Sequence, residues 1–189
     1  WFHSISNISF TSAPEKQTKD TDGFVVIDSL DELRGYANYN NMKIRMKPGL
    51  YNLNTAHFRH FIELTGCDNH WDLSGVTISA SMELFKQFGW QEGSAGFYCV
   101  IDLIGDRNIL EGLTVKNHGE GHGIQSRNKL FNITGSDCIV RNITALTSGS
   151  NPWGYGSLFG IGGPVVQKMN GIRIGQPAKN TQLVSSRVQ

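Results

Sequence analysis

Phe61-Ile-Glu-Leu-Thr-Gly66 returns along the chain as Val100-Ile-Asp-Leu-Ile-Gly105, Leu130-Phe-Asn-Ile-Thr-Gly135 and, shortened, Gly171-Ile-Arg-Ile-Gly175. A second stretch follows each of the first three at matching phase: Leu73-Ser-Gly75-Val-Thr-Ile78, Leu110-Glu-Gly112-Leu-Thr-Val115 and Val140-Arg-Asn142-Ile-Thr-Ala145. The fourth copy continues more loosely to Leu183-Val184 and Val188. The landmark glycines recur every 30 to 40 residues, roughly, the length of one unit in a stacked repeat. Within each copy the apolar residues alternate by two, putting Ile62/Leu64, Ile101/Leu103, Phe131/Ile133 and Ile172/Ile174 on one face of a strand. A helical repeat would need a period near 3.6 and would not tolerate glycine in every segment. No copy can bury its apolar face alone, so the copies must stack as parallel strands.

The bulk composition agrees with a β-rich, turn-rich chain. Of 189 residues only 17% are charged and 22 are glycine, and 17 Lys+Arg against 16 Asp+Glu leave a net charge of +1. That balance gives no electrostatic reason to expect nucleic acid or an anionic membrane as partner, and no apolar run has the length of a membrane span. Cys67, Cys99 and Cys138 have no metal-ligand spacing and read as small buried hydrophobes. Of the sequons at Asn7, Asn132 and Asn142, the last two are expected inside strands. Ser29 and Glu32 form a capping box that predicts a short helix from Leu30.

Residues 24–189 resemble the pectin-lyase-like superfamily. The carriers of the resemblance are Val25-Val-Ile-Asp-Ser-Leu-Asp-Glu-Leu-Arg-Gly35, the strand Lys43-Ile-Arg-Met-Lys-Pro-Gly-Leu-Tyr-Asn-Leu53 with its Pro-Gly-x-Tyr turn, and the repeats above. The resemblance implies an all-β, right-handed parallel β-helix with a short N-terminal capping helix, preceded by an extension over residues 1–23. It also implies action on a polysaccharide outside the cytoplasm, by a protein that is secreted, periplasmic or at the cell surface. The last coil is still in progress at Val188-Gln189, so a continuing chain or an oligomer partner is expected to cover it.

Function is expected where the repeat is interrupted. Insertions at Ser79 to Cys99, Lys116 to Lys129 and Thr147 to Asn170 all leave the repeat at the same phase, hence at one corner of the stack. The first and third are rich in aromatics. Phe85, Phe88 and Phe159 read as loop anchors, whereas Trp90, Trp153 and Tyr155 read as platforms for the C–H faces of sugar rings. The second insertion carries His118, Glu120, His122, Arg127 and Lys129 among glycines that let backbone approach a ligand. A histidine is a neutral-pH base, and Arg or Lys would hold the carboxylate of an acidic sugar. Gly121-His-Gly123 is similar to a motif of polygalacturonase-type hydrolases, but the aspartate pair that accompanies it there is missing here. His118 and His122 lack an obvious third ligand for zinc. Glu63, Asp102, Asn132 and Arg173 form a second candidate, an outward row across successive strands. By resemblance to pectate lyases, Glu63 and Asp102 would hold Ca²⁺ there, although a solvated, charge-paired face is the plainer reading.

The favoured function is a polysaccharide lyase acting on a uronate-containing glycan. In that scheme His122 or His118 is the base, Arg127 or Arg173 neutralises the carboxylate, and Tyr155 is the acid, with Trp90, Glu120, Lys129 and Trp153 contacting substrate. A glycoside hydrolase on the same scaffold, or a non-catalytic carbohydrate-binding module, are the alternatives.

Overall fold

The structure is a computed structural model that describes residues 19–87, 98–119, 128–146 and 169–188. The chain opens with β1 (Val25–Ile27), α1 (Leu30–Tyr36), β2 (Lys43–Met46) and β3 (Gly49–Leu53). Next come β4 (His60–Leu64), β5 (His70–Asp72), β6 (Val76–Ser81) and α2 (Met82–Gln87). Three further passes follow: β7 (Cys99–Leu103), β8 (Ile109–Glu111) and β9 (Thr114–His118); β10 (Asn128–Ile133), β11 (Ile139–Arg141) and β12 (Thr144–Leu146); β13 (Met169–Ile174), β14 (Gln182–Val184) and β15 (Arg187–Val188). The helix predicted at Leu30 forms: the Ser29 Oγ accepts from the Glu32 N–H at 3.2 Å, and the Glu32 carboxylate accepts from the Asp28 N–H at 2.8 Å.

Among the described residues the protein is all-β apart from these short helices, and the described strands form three sheets. A six-stranded sheet runs β1-β2-β5-β8-β11-β14, a four-stranded sheet β13-β10-β7-β4, and a five-stranded sheet β15-β12-β9-β6-β3. Every strand pairs in parallel with the equivalent strand of the next pass. Parallel neighbours cannot be joined by a hairpin. Here the connection between two neighbours in one sheet is supplied by strands of the other two. In-register pairing aligns the apolar residues into columns. Ile62, Ile101, Phe131 and Ile172 line the four-stranded sheet; Ile44, Trp71, Leu110 and Val140 the six-stranded; Ile78, Val115 and Ala145 the five-stranded. All but Ile172 are 0–1% exposed, and each large member contributes about 1.5–3 kcal/mol by burial. The last pass is open: Ile174, Leu183 and Val188 are 40–54% exposed.

Two of the three corners are tight. Between the four- and six-stranded sheets, Gly66, Gly105 and Gly135 stack carbonyl onto Cα, and Asp68, Arg107, Asp137 and Asn180 adopt left-handed backbone. The buried Asn69 and Asn108 tie this corner together. Asn108 donates to the carbonyls of Gly66 and Gly105 at 2.8 and 2.7 Å and accepts from the Asn69 N–H at 2.9 Å. Cys138 takes the same place one pass later, its thiol directed at the Gly105 carbonyl. Between the six- and five-stranded sheets the left-handed position is Gly75, Gly112, Asn142 and Ser185 in turn, so Asn142 sits in an exposed turn rather than the strand expected for it. Cys99 and Cys138 are buried as expected, Cys67 only partly, and all three thiols are free.

The outer face of the six-stranded sheet carries a cross-strand charge ladder in register: Arg45, Asp72, Glu111 and Arg141. Arg45 Nε lies 2.7 Å from Asp72, Arg141 Nε lies 2.7 Å from Glu111, and His70 also bonds Glu111. Partial burial pushes the Glu111 carboxyl up, but hydrogen bonds from Arg141 and His70 outweigh it and hold its pKa below the usual glutamate value. A carboxylate depressed in the folded state contributes stability that is present above its unfolded pKa, about 4.3, and is lost as pH falls through the lower folded value. Glu111→Gln is therefore expected to cost about 1 kcal/mol at neutral pH after solvent screening, and to flatten the loss of stability below about pH 4.3. Urea midpoints across a pH series check this; an unchanged acid slope in the variant would remove Glu111 from the account.

Candidate functional site

The third corner differs from the other two. Connections from the five-stranded to the four-stranded sheet span residues 54–59, 82–98, 119–127 and 147–168. All three insertions found in the sequence therefore share this one corner. Phe85, on α2, is buried as expected, its ring 4.9 Å from Phe61 and 6.1 Å from Tyr98. Phe88, Trp90, Glu120, His122, Arg127, Trp153, Tyr155 and Phe159 lie outside the described residues.

His118 ends β9 at the mouth of the second insertion and is half-buried. Its Nδ1 lies 2.9 Å from the buried hydroxyl of Ser79 on β6. That contact holds the ring through Nδ1, which donates or accepts according to the tautomer. Lys129, on β10, stands in register with Cys99 and His60 and is 6% exposed.

The row on the four-stranded sheet lies in register as expected: Glu63 beside Asp102, Asp102 beside Asn132, Asn132 beside Arg173. Its environment differs from a solvated face. Asp102 and Asn132 are each 2% exposed. The Asn132 amide donates to Asp102 Oδ1 at 2.7 Å, and Arg173 Nη1 donates to Asn132 Oδ1 at 2.8 Å. The other Asp102 oxygen, Oδ2, is 2.7 Å from His60 Nδ1, which is also 3.4 Å from Glu63 Oε1. A buried carboxylate needs such partners, since desolvation otherwise makes its charge untenable. His60, Glu63 and Asp102 each present one donor atom, all within 4.8 Å of one another.

The sequence reading missed His60. It began the repeats one or two positions inside their strands, at Phe61 where β4 starts at His60, and nothing in the local pattern marks a lone histidine ahead of a strand. Its place in a column with Cys99 and Lys129 was the available signal. Cys99 adds no nucleophile there. Burial pushes its thiol well above the usual cysteine range, and its Sγ donates to the Ile101 carbonyl at 2.8 Å.

Beside the row, Phe58 is 53% exposed, with the Arg59 guanidinium 5.4 Å and the His60 ring 5.8 Å from its ring centre. Among the described residues the buried Arg59 Nε has no hydrogen-bond partner. Elsewhere, a cavity of about 330 Å³ between α1 and β3 is lined by Asp28, Arg34 and Tyr51. Its charges are already committed: Asp28 pairs with Lys47 at 2.9 Å, and Arg34 holds the carbonyls of Thr55 and Phe61.

The calcium implied by the sequence resemblance does not suit this donor set. Ca²⁺ takes six to eight oxygens, roughly. The described cluster offers one imidazole nitrogen, one exposed carboxylate and one buried carboxylate whose Oδ1 is taken by Asn132. Among the described residues no helix is long and apolar enough to cross a membrane. No protein-family model matches the chain, and no curated protein matches it.

Proposed function

We propose that the chain is a right-handed parallel β-helix of the pectin-lyase-like kind that cleaves an acidic, uronate-containing polysaccharide by β-elimination outside the cytoplasm. The cyclic order of three parallel sheets, with α1 at the start, supports the architecture. The observation that carries the function is the hydrogen-bonded line Asp102–Asn132–Arg173 beside the corner that holds every long connection.

β-Elimination removes the proton α to the uronate carboxyl group, forms the ring double bond and expels the glycosidic oxygen, which takes up a proton. The carboxylate must be neutralised while charge builds on it. Arg173, held by Asn132, supplies a fixed guanidinium for that purpose, and Arg59 a second cation against the exposed Phe58. His118, braced by Ser79, takes the proton at Nε2. His122, Arg127 and Tyr155 complete the scheme as alternative base, second carboxylate ligand and acid; Trp90, Glu120 and Trp153 hold substrate, and Lys129, buried in β10, lies behind the row. Hydrolysis is less well supported, because Asp102 has both oxygens engaged and cannot pair with Glu63 across a scissile bond.

Incubation with polygalacturonate, alginate and a sulfated galactan tests the reading. One of the uronate polymers is expected to yield products with the ultraviolet absorbance of unsaturated uronates, and His118→Ala to slow that reaction by about 10²–10⁴-fold. New reducing ends without that absorbance would replace the lyase with a hydrolase. Binding without product on long incubation would leave a carbohydrate-binding module.

A further inference from the structure

The mismatch with calcium is itself informative. We propose that His60, Glu63 and Asp102 bind a borderline divalent cation of the zinc type. The inference stands on the donor set alone and holds whether or not the chain is a lyase.

Three features of the cluster carry it. First, the donors are mixed, one imidazole nitrogen and two carboxylate oxygens; each is a ligand type that zinc takes, and three of them leave a further position for water or substrate. Second, the spacing fits. Ligands around a tetrahedral zinc stand about 3.3 Å apart when each bond is about 2.0–2.1 Å. His60 Nδ1 is already 3.4 Å from Glu63 Oε1 and need move only about 0.6 Å from Asp102 Oδ2, by the same estimate. Third, the ligand that can least adjust is already aimed. Asp102 is buried, its Oδ1 is fixed by the Asn132 amide, and Asn132 is fixed by Arg173, which is the outer support that metal-binding carboxylates need. Glu63, with 41% of its side chain exposed, is the mobile ligand and opens the remaining position to solvent. Cys99, three residues before Asp102 in β7, is buried with its thiol pushed well above the usual cysteine range and does not join the set.

Titration calorimetry on the full chain, stripped with a chelator and free of glycan, decides the matter with Zn²⁺, Mn²⁺ and Ca²⁺ as probes. One Zn²⁺ per chain is expected, bound more tightly than Ca²⁺. His60→Ala and Glu63→Gln should each weaken it at least tenfold, and Asn132→Ala by about 10–100-fold through Asp102. Glu63 is only partly buried, so Glu63→Gln keeps the test valid if another variant fails to fold. No Zn²⁺ binding, binding unchanged in His60→Ala and Glu63→Gln, or a preference for Ca²⁺ would each overturn the proposal. Loss of the lyase reading would leave these outcomes untouched, because no turnover is measured.

Discussion

Gly105→Ala is expected to destabilise the protein by about 3 kcal/mol or more, a large share of the roughly 5–15 kcal/mol that holds a domain folded. A Cβ at this position would lie 2.0 Å from the Gly66 carbonyl oxygen, 2.6 Å from its carbon and 2.8 Å from the Thr65 oxygen. All three are backbone atoms, so no rotamer change relieves the clash. The Gly66 carbonyl is also held by the Asn108 amide, and the Gly105 carbonyl lies 2.1 Å from where a Cβ on Gly135 would sit. Moving one pass therefore strains the next. For a chain of this size the loss corresponds to a melting temperature lower by about 6–12 °C. Gly35→Ala in α1 is the control. A Cβ there meets nothing within 4 Å, and the change should be neutral or stabilising by up to about 1 kcal/mol. Equal melting of Gly105→Ala and the parent would show that the passes are not stacked this closely.

Asn108→Ala should cost about as much for a different reason. Asn108 is fully buried and makes three hydrogen bonds through its side chain, to the carbonyls of Gly66 and Gly105 and from the amide of Asn69. Alanine leaves all three backbone groups without that partner in a place closed to water. Each orphaned group costs about 1–3 kcal/mol, giving an expected loss of about 4 kcal/mol once some relaxation is allowed. Hydrogen exchange offers a local readout: the Asn69 amide should lose protection before the strands do. Urea denaturation showing a loss under about 1 kcal/mol would mean that the corner is held by strand pairing alone.

Much of the scaffold was legible in the sequence because its physics is local. Alternation in Phe61–Leu64 and its copies is a property of one strand, and the capping box of Ser29 and Glu32 acts within a single helical turn. The corner was legible only in part. Gly66, Gly105 and Gly135 were visible as punctuation, but the reason for them is a contact between residues 27 to 39 positions apart, which no window along the chain contains. The repeated Gly-x-x-Asn of Gly66/Asn69 and Gly105/Asn108 was overlooked because Cys138 breaks it in the third copy. The candidate site shows the same division. Register alone aligned Glu63, Asp102, Asn132 and Arg173, but the burial that turns a charged row into a bonded one depends on packing across the sheet. His60 reaches Asp102 from the neighbouring strand, 42 positions away by number, and carries no periodic signature.

The contrast among the three corners bears on how such a protein can change. Where glycine carbonyls and asparagine amides stack, an added residue would break contacts above and below at once. At the corner after β3, β6, β9 and β12 the chain departs and returns over segments as short as residues 54–59 and as long as 147–168, while the strand register stays intact throughout. Length there is uncoupled from strand register, so, apart from α2, whose Met82, Leu84 and Phe85 join the core, segments at that corner can be exchanged or extended as a combinatorial surface on an otherwise fixed framework. Diversification of specificity by insertion and deletion, rather than by point substitution, is the evolutionary route this architecture leaves open.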